Sequence, residues 1–179
     1  DADGLVVAPG AIDLHSHGQD DENYRIQALD GVTTGLELEL GASDIDEWYE
    51  EREGNALINY GASVGHIPLR IKVMDDPSDF IPVADGAYKE ATDAQIEEMK
   101  GLIDLGLRRG ALAVGFGLQY TPAASRWEVL EMFQVAARYG ASCHVHMRGM
   151  GHREPMNSIE GLSELIAASA TTGAPLHLV

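Results

Sequence analysis

Val6-Val7-Ala8-Pro9-Gly10-Ala11-Ile12-Asp13-Leu14-His15-Ser16-His17-Gly18 is the stretch from which the rest of the chain is read. In an extended strand alternate side chains share a face, so Asp13, His15 and His17 point one way while Ile12, Leu14 and Ser16 point the other. Two imidazoles are thereby offered to one point in space. Neutral imidazole nitrogens suit Zn, Fe, Ni or Cu, and Gly18 at the strand end leaves room for an ion and its water. On spacing alone, a pair of ordinary strand-end histidines fits as well.

The residues before the histidines narrow the choice. Pro9-Gly10-Ala11-Ile12-Asp13-Leu14-His15-Ser16-His17 resembles the Pro-Gly-x-Ile-Asp-x-His-x-His signature of the amidohydrolase superfamily, metal-dependent hydrolases built on a (β/α)₈ TIM barrel. The resemblance implies that His15 and His17 are metal ligands. It also implies an α/β fold.

The chain has 179 residues, ample for one domain with a sizeable core but short of the roughly 250 typical of a whole barrel. Twelve Lys and Arg against 29 Asp and Glu give a formal charge of −17, which repels phosphate backbones and anionic membranes. Nucleic acid is therefore excluded as an expected partner. No run reaches the 18 or so apolar residues of a membrane span, and the N-terminus lacks a basic segment followed by an apolar one. The single cysteine, Cys143, excludes an internal disulfide framework. That fits a reducing compartment, and the cytoplasm is the expected location.

Taken in order, Asp1 to Gly4 is a turn entering the first strand, and Asp20 to Asp30 fits a short helix with Ile26 and Leu29 as its buried contacts. Gly31 to Leu40 alternates, with Val32, Leu36, Leu38 and Leu40 on one face and Thr33, Glu37 and Glu39 on the other. Ser43 to Arg52 is predicted as a helix capped by Ser43. Ala56 to Val64 is a third strand running into Gly65-His66. Lys72 to Ala91 has no clean period and reads as a long loop, functional or disordered.

Thr92 opens a helix through a capping box with Gln95, burying Ile96, Met99 and Ile103. Ala111 to Phe116 is a fourth strand. Ser125 with Glu128 makes a second capping box, ahead of a stripe of Leu130, Phe133 and Ala137. Ala141 to Met147 is a fifth strand, Asn157 or Ser158 caps a helix carrying Ile159, Leu162 and Ile166, and Gly173 ends it before a sixth strand over Ala174 to Val179. Strands alternating with amphipathic helices argue for parallel βα units. Six strands and five helices make an incomplete (β/α)₈ barrel, one partial catalytic domain over residues 1–179 without internal repeat or boundary. The small β-sandwich often found beside such barrels, and the last two strands, are absent from the stretch.

Active sites of such barrels lie at the C-terminal strand ends. In a barrel the apolar face packs outward under the helices, so Glu37 and Glu39 point inward, where a carboxylate is costly unless something cationic meets it. His66 ends the third strand, and His144, His146 and Arg148 share a face of the fifth. Superfamily members with two metals need an anionic group between the ions, commonly a carbamylated lysine on the fourth strand. Here the lysines, Lys72, Lys89 and Lys100, lie in the long loop or a helix. Glu39 is the expected bridge, with Glu37 in reserve.

Gly31-Val32-Thr33-Thr34, Gly65-His66-Ile67-Pro68-Leu69-Arg70, Gly117-Leu118-Gln119-Tyr120-Thr121-Pro122 and His146-Met147-Arg148 are similar, in order and spacing, to the N-acyl-D-amino-acid deacylases (D-aminoacylases). That likeness implies His15 and His17 on one metal and His146 on the other, with zinc as the expected ion and one or two ions per site. The family's bridging cysteine is matched by Leu40, beside Glu39. Tyr120 matches a tyrosine that bonds the scissile carbonyl oxygen. Arg148 is a candidate fork for a substrate carboxylate, His66 a second-layer or substrate-facing group, and His144 a buried packing residue. Cys143, of opposite parity, belongs to the core.

The same likeness places a further metal-binding histidine immediately after Val179, three positions from His177, and a proton-shuttling aspartate later still. The expected activity is hydrolysis of a linear amide, an N-acyl amino acid of possible D configuration, by a metal-bound hydroxide. The rival readings are a cyclic-amide hydrolase related to dihydroorotases, and a non-catalytic barrel fragment that self-associates through its open edges. A small-molecule substrate is the expected partner.

Overall fold

The structure, a computed structural model, describes residues 1–154 and 156–179. In chain order it contains β1 (Ala11–Asp13), α1 (Asp21–Leu29), β2 (Val32–Ala42), α2 (Ile45–Glu50), β3 (Asn59–Gly65), α3 (His66–Val73), α4 (Asp85–Tyr88), α5 (Asp93–Arg108), β4 (Ala113–Gly117), α6 (Arg126–Arg138), β5 (Ser142–His146), α7 (Ser158–Thr172) and β6 (Leu176–Leu178). The six strands pair in parallel in sequence order and curl into an open part of a barrel with helices along its outer side. Consecutive parallel neighbours need crossover helices, which explains the alternation. No helix among the described residues is long and apolar enough to cross a membrane.

The core lies between the sheet and α5 and α6. Val114, Phe116, Cys143 and Val145 from the strands meet Met99, Ile103, Met132 and Phe133 from the helices, all of them buried. Phe116 and Phe133 stack at 5.3 Å between centroids. Cys143 lies in this layer as expected, and burial pushes its thiol far up.

Capping chemistry sets several boundaries. Both halves of the Thr92/Gln95 box form at α5, and Ile96, Met99 and Ile103 are buried beneath it. Asn157 caps α7 by accepting from the amides of Ile159 and Glu160, and Gly173 ends it at φ +79°, in the left-handed region that glycine enters without penalty. At α2 the cap is Asp44, not Ser43: its carboxylate accepts from the Glu47 amide at 3.1 Å. At α6 only half of the expected box forms. Ser125 accepts from the Glu128 amide at 3.0 Å, while the Glu128 side chain turns into the interior.

Two amphipathic readings are corrected at the sheet edges. Ile26 and Leu29 of α1 are exposed, as are Ile159 and Ile166 of α7, whereas Tyr24 and Leu165 are buried in their place. Among the described residues α1 packs chiefly on β2, and α7 on α6 and β6, so the buried stripe of each helix is the one turned toward those elements. Residues 72–91 are likewise better ordered than periodicity suggests. Residues 66–73 are helical, and the buried Asp76 carboxylate gathers the amides of Ser78, Val83, Ala84 and Gly86 at 2.8–3.2 Å.

A β-bulge decides where β2 delivers its acids. The register between β2 and β3 shifts between Glu37 and Ala42, pressing Glu39 and Leu40 toward the middle of the sheet. Gly65 and Gly115 make this approach possible: a Cβ at Gly65 would run into the Leu40 carbonyl oxygen, and one at Gly115 into that of Glu39.

Candidate metal centre

Regular strand hydrogen bonding in β1 ends at Asp13, yet the chain stays pinned to β2 because the Ser16 amide donates to the Leu36 carbonyl at 3.0 Å. Asp13 itself accepts from the His15 amide at 2.9 Å. This extension carries His15 and His17 to the buried carboxylate of Glu39 on the bulged part of β2. Glu39 Oε2 stands 2.9 Å from His15 Nε2 and 3.1 Å from His17 Nε2, and Oε1 stands 3.1 Å from His146 Nδ1 at the end of β5. Residues 15, 17, 39 and 146 therefore converge, with one carboxylate oxygen facing the β1 pair and the other facing β5.

Glu37 lies behind this cluster. Its Oε2 is 2.8 Å from His17 Nδ1, and its Oε1 accepts from the Leu40 amide at 3.2 Å. It fixes the ring orientation of His17 and leaves Nε2 facing Glu39, the usual task of a carboxylate behind a ligating imidazole. Glu37 thus occupies a supporting place and not the bridging one held in reserve for it.

The electrostatics follow from this crowding. Hydrogen bonds from Glu37 and then Glu39 raise the His17 pKa from 6.5 to about 10. Burial pushes Glu39 upward, but the His17 hydrogen bond and the charges of His146 and His15 outweigh it and hold the carboxyl below its usual range. Among the described residues no lysine or arginine pairs with Glu37 or Glu39. The ligand atoms of His15, His17 and Glu39 lie within 4.8 Å of one another. Imidazole nitrogens around a buried carboxylate, with no fixed cation to neutralise it, form a donor set that suits a divalent ion.

The remaining expected residues fall in three places. Tyr120, on the loop after β4, packs edge-on against His146 with ring centroids 5.2 Å apart. Arg148 does not present a free fork: its guanidinium donates to the Pro122 carbonyl at 3.0 Å and to Glu164 at 3.1 Å. His144 is buried as expected, its Nε2 against Ser142 Oγ and its ring stacked on His177 at 4.7 Å. Burial, with the charges of His177 and His15, lowers its pKa to about 4.

His66 corrects the expectation of a substrate contact, because it begins α3 with its side chain wholly buried. Its Nε2 meets Glu128 Oε1 at 2.7 Å, and the same carboxylate takes Arg70 Nη1 on both oxygens at 2.6 Å. Arg70 also donates to the Gly86 and Lys89 carbonyls. A buried face offers no access to a ligand, so this triad braces the 84–89 segment against α6. The sequence assigns Arg70 no site role and reads Glu128 only as part of a helix cap. The usable signal was the i, i+4 spacing of His66 and Arg70, which puts both on one helix face.

No family model matches the chain. D-aminoacylase of Alcaligenes xylosoxydans xylosoxydans is 30% identical over 186 residues, covering 84% of this chain and 36% of the relative; the chain thus spans about a third of that curated relative's length. Among solved structures, the N-acyl-D-glutamate deacylase of Bordetella bronchiseptica, complexed with zinc and a phosphonate mimic of the tetrahedral intermediate, superimposes with a TM-score of 0.78 at 22% identity, covering 98% of this chain and 41% of that one. A D-aminoacylase structure concerned with a binuclear metal centre gives a TM-score of 0.73 at 23% identity, covering 94% of this chain and 39% of that one. The sequence likeness to D-aminoacylase and to N-acyl-D-aspartate deacylase extends over most of this chain, and solved structures of such deacylases share its parallel barrel fold.

Proposed function

We propose that this chain forms the metal-binding part of a hydrolase that cleaves the amide of an N-acyl amino acid, with the D configuration preferred. The observation that carries the reading is the convergence of His15, His17 and His146 on the two oxygens of buried Glu39. In this reading those four residues hold one or two divalent ions, zinc first among them. Such an ion supplies a water of lowered pKa and polarises the acyl carbonyl.

The chain's own residues prepare that chemistry. Glu37 holds His17 in the tautomer and orientation that leave Nε2 toward the centre. Glu39, facing imidazoles on both sides, is placed to neutralise two neighbouring ions or to serve one. Tyr120, held against His146, would donate its hydroxyl to the acyl oxygen as negative charge develops there. The relatives named D-aminoacylase and N-acyl-D-glutamate deacylase support the substrate class and its stereochemistry.

The test combines metal analysis with turnover of N-acetyl-D- and N-acetyl-L-amino acids and of hydantoins. Zinc bound near stoichiometry, hydrolysis of the D-acyl substrates that a chelator abolishes and zinc restores, and little turnover of hydantoins are the expected results. Hydrolysis that survives chelation would overturn the metal role, and preferred opening of the cyclic amide would replace the substrate class.

A further inference from the structure

His15 and His17 stand on a segment that regular sheet pairing does not hold. Past Asp13 the β1 strand has ended, and both imidazoles are more than a third exposed. Between them Ser16 is buried. Strand parity turns its side chain away from the two imidazoles and toward α1, and its amide, carbonyl and hydroxyl are all bonded. The amide donates to the Leu36 carbonyl at 3.0 Å, the carbonyl accepts from Gln19 Nε2 at 3.2 Å, and the hydroxyl accepts from Gln27 Nε2 at 2.7 Å. Gln19 is fixed in turn by the buried Tyr24, whose hydroxyl donates to its Oε1 at 2.9 Å.

The slot for Gln27 is shaped to it. Tyr24 and Gln27 are three positions apart on α1 and so share a face, and the helix packs on β2. Gly35 of β2 leaves the room: a Cβ there would lie 2.8 Å from Gln27 Oε1 and 3.1 Å from Ser16 Oγ. Burying an amide is costly unless it is bonded, and Gln27 Oε1 has no partner among the described residues. What the amide does hold is the Ser16 hydroxyl, midway between the two histidines. A hydroxyl donates as well as accepts, so the bond survives reversal of the amide.

We propose that Gln27 is a positioning residue of the metal centre, its bond to Ser16 setting the reach of His15 and His17 toward Glu39. The proposal rests on the metal-binding reading above and adds α1 to the elements that build the site. Because residues 15 and 17 flank the anchored one, release of Ser16 would shift both imidazoles together.

Two variants delete the bond from its two ends. Gln27→Met keeps the length of the side chain, and Ser16→Ala removes the hydroxyl. Each should weaken zinc binding, read by calorimetry, by about tenfold or more, as for a partner outside the ligand set. The double variant should bind zinc within about threefold of either single one, because only one bond is lost; losses that multiply would overturn the proposal. Thr92→Ala removes the α5 cap and lowers stability without touching these bonds, and it should leave the zinc affinity within about twofold. A loss in Thr92→Ala equal to that in Gln27→Met would trace the effect to general stability and also overturn the proposal.

The metal-free chain gives a separate reading. In its NMR spectrum Gln27→Met should shift the ring resonances of His15 and His17 and leave those of His66 in place. If the unmodified chain binds no zinc while those two rings respond, the metal reading fails and the anchoring of the histidines stands. If it binds zinc and Gln27→Met alters neither affinity nor ring signals, the metal reading stands and the positioning role fails.

Discussion

Two histidine and carboxylate clusters stand at the C-terminal side of this sheet, and they are built to opposite ends. At one, Glu128 is buried with His66 and meets Arg70 with both oxygens, all three side chains closed off from water. At the other, Glu39 is also buried, yet it meets imidazoles that are partly exposed, and no arginine or lysine among the described residues answers it. A buried carboxylate needs a cation. The first cluster carries a permanent cation in the chain, whereas the second has only imidazoles, which in the function proposed above give up their protons to a metal ion. The contrast separates a brace from a binding site more sharply than residue type does, since both contain histidine beside glutamate.

The comparison breaks first at the closed cluster. Replacing Arg70 by Met leaves the Glu128 carboxylate buried beside His66 with its charge uncompensated, and loss of one partner of a buried pair costs about 3–5 kcal/mol. Chemical denaturation should show that loss, while a double replacement of Arg70 and Glu128 by apolar residues of similar volume should recover much of it. A cost below about 1 kcal/mol for Arg70→Met would mean that the triad does not hold the 84–89 segment to α6.

The open cluster should respond in binding instead of folding. Glu39→Gln removes the charge on which three imidazoles converge, and zinc affinity should fall by more than about 100-fold, beyond the range expected for an outer partner. Isothermal titration reads this directly. Thermal shift gives a second measure, because zinc at 100 times its Kd should stabilise the native chain by about 2.7 kcal/mol, and the variant should lose most of that increment. Glu37→Gln keeps all four ligands of the proposed centre and disturbs only the support of His17, so its loss should fall in the range of about 10- to 100-fold. Equal effects from the two variants would make Glu37 a ligand, contrary to its place behind the ring.

How much of this could be read from the chain alone differs between the clusters for a physical reason. Strand parity is local: it puts Glu37 and Glu39 on the inward face of β2, where both are buried, and His15 and His17 on one side of their segment, where both approach Glu39. Rank order within β2 was less accessible. Glu39 leads because a bulge carries it inward, and that bulge depends on glycines at 65 and 115 of two other strands. The closed cluster joins residues 58 positions apart, and no period links them; Ser125-x-x-Glu128 reads as a full capping box, but only Ser125 caps and the Glu128 carboxylate turns toward Arg70. Exposed Ile26 and Ile159 fail for a related reason. Periodicity identifies an apolar stripe but not the neighbour that would cover it.

The smallest expected effect is also where the two clusters oppose each other in sign. Burial raises Glu128 and lowers His66, but the His66 hydrogen bond and the Arg70 charge bring Glu128 below its ordinary 4.5. A carboxyl depressed by folding contributes stability that is complete above its unfolded value and is lost as pH falls through the folded one. His66, held neutral, adds to the same acid limb because the unfolded chain takes up its proton first. His17 has the reverse sign: its pKa is raised to about 10 in the metal-free fold, so its contribution is complete below 6.5 and disappears as pH climbs toward 10. Being more than a third exposed, it should bend the alkaline limb only slightly. Zinc requires a neutral imidazole, so saturating metal should flatten that limb and leave the acid limb set by Glu128 in place. Urea midpoints measured from pH 4 to 10 with and without zinc test this; an alkaline limb that zinc does not change would place the raised histidine outside the metal set.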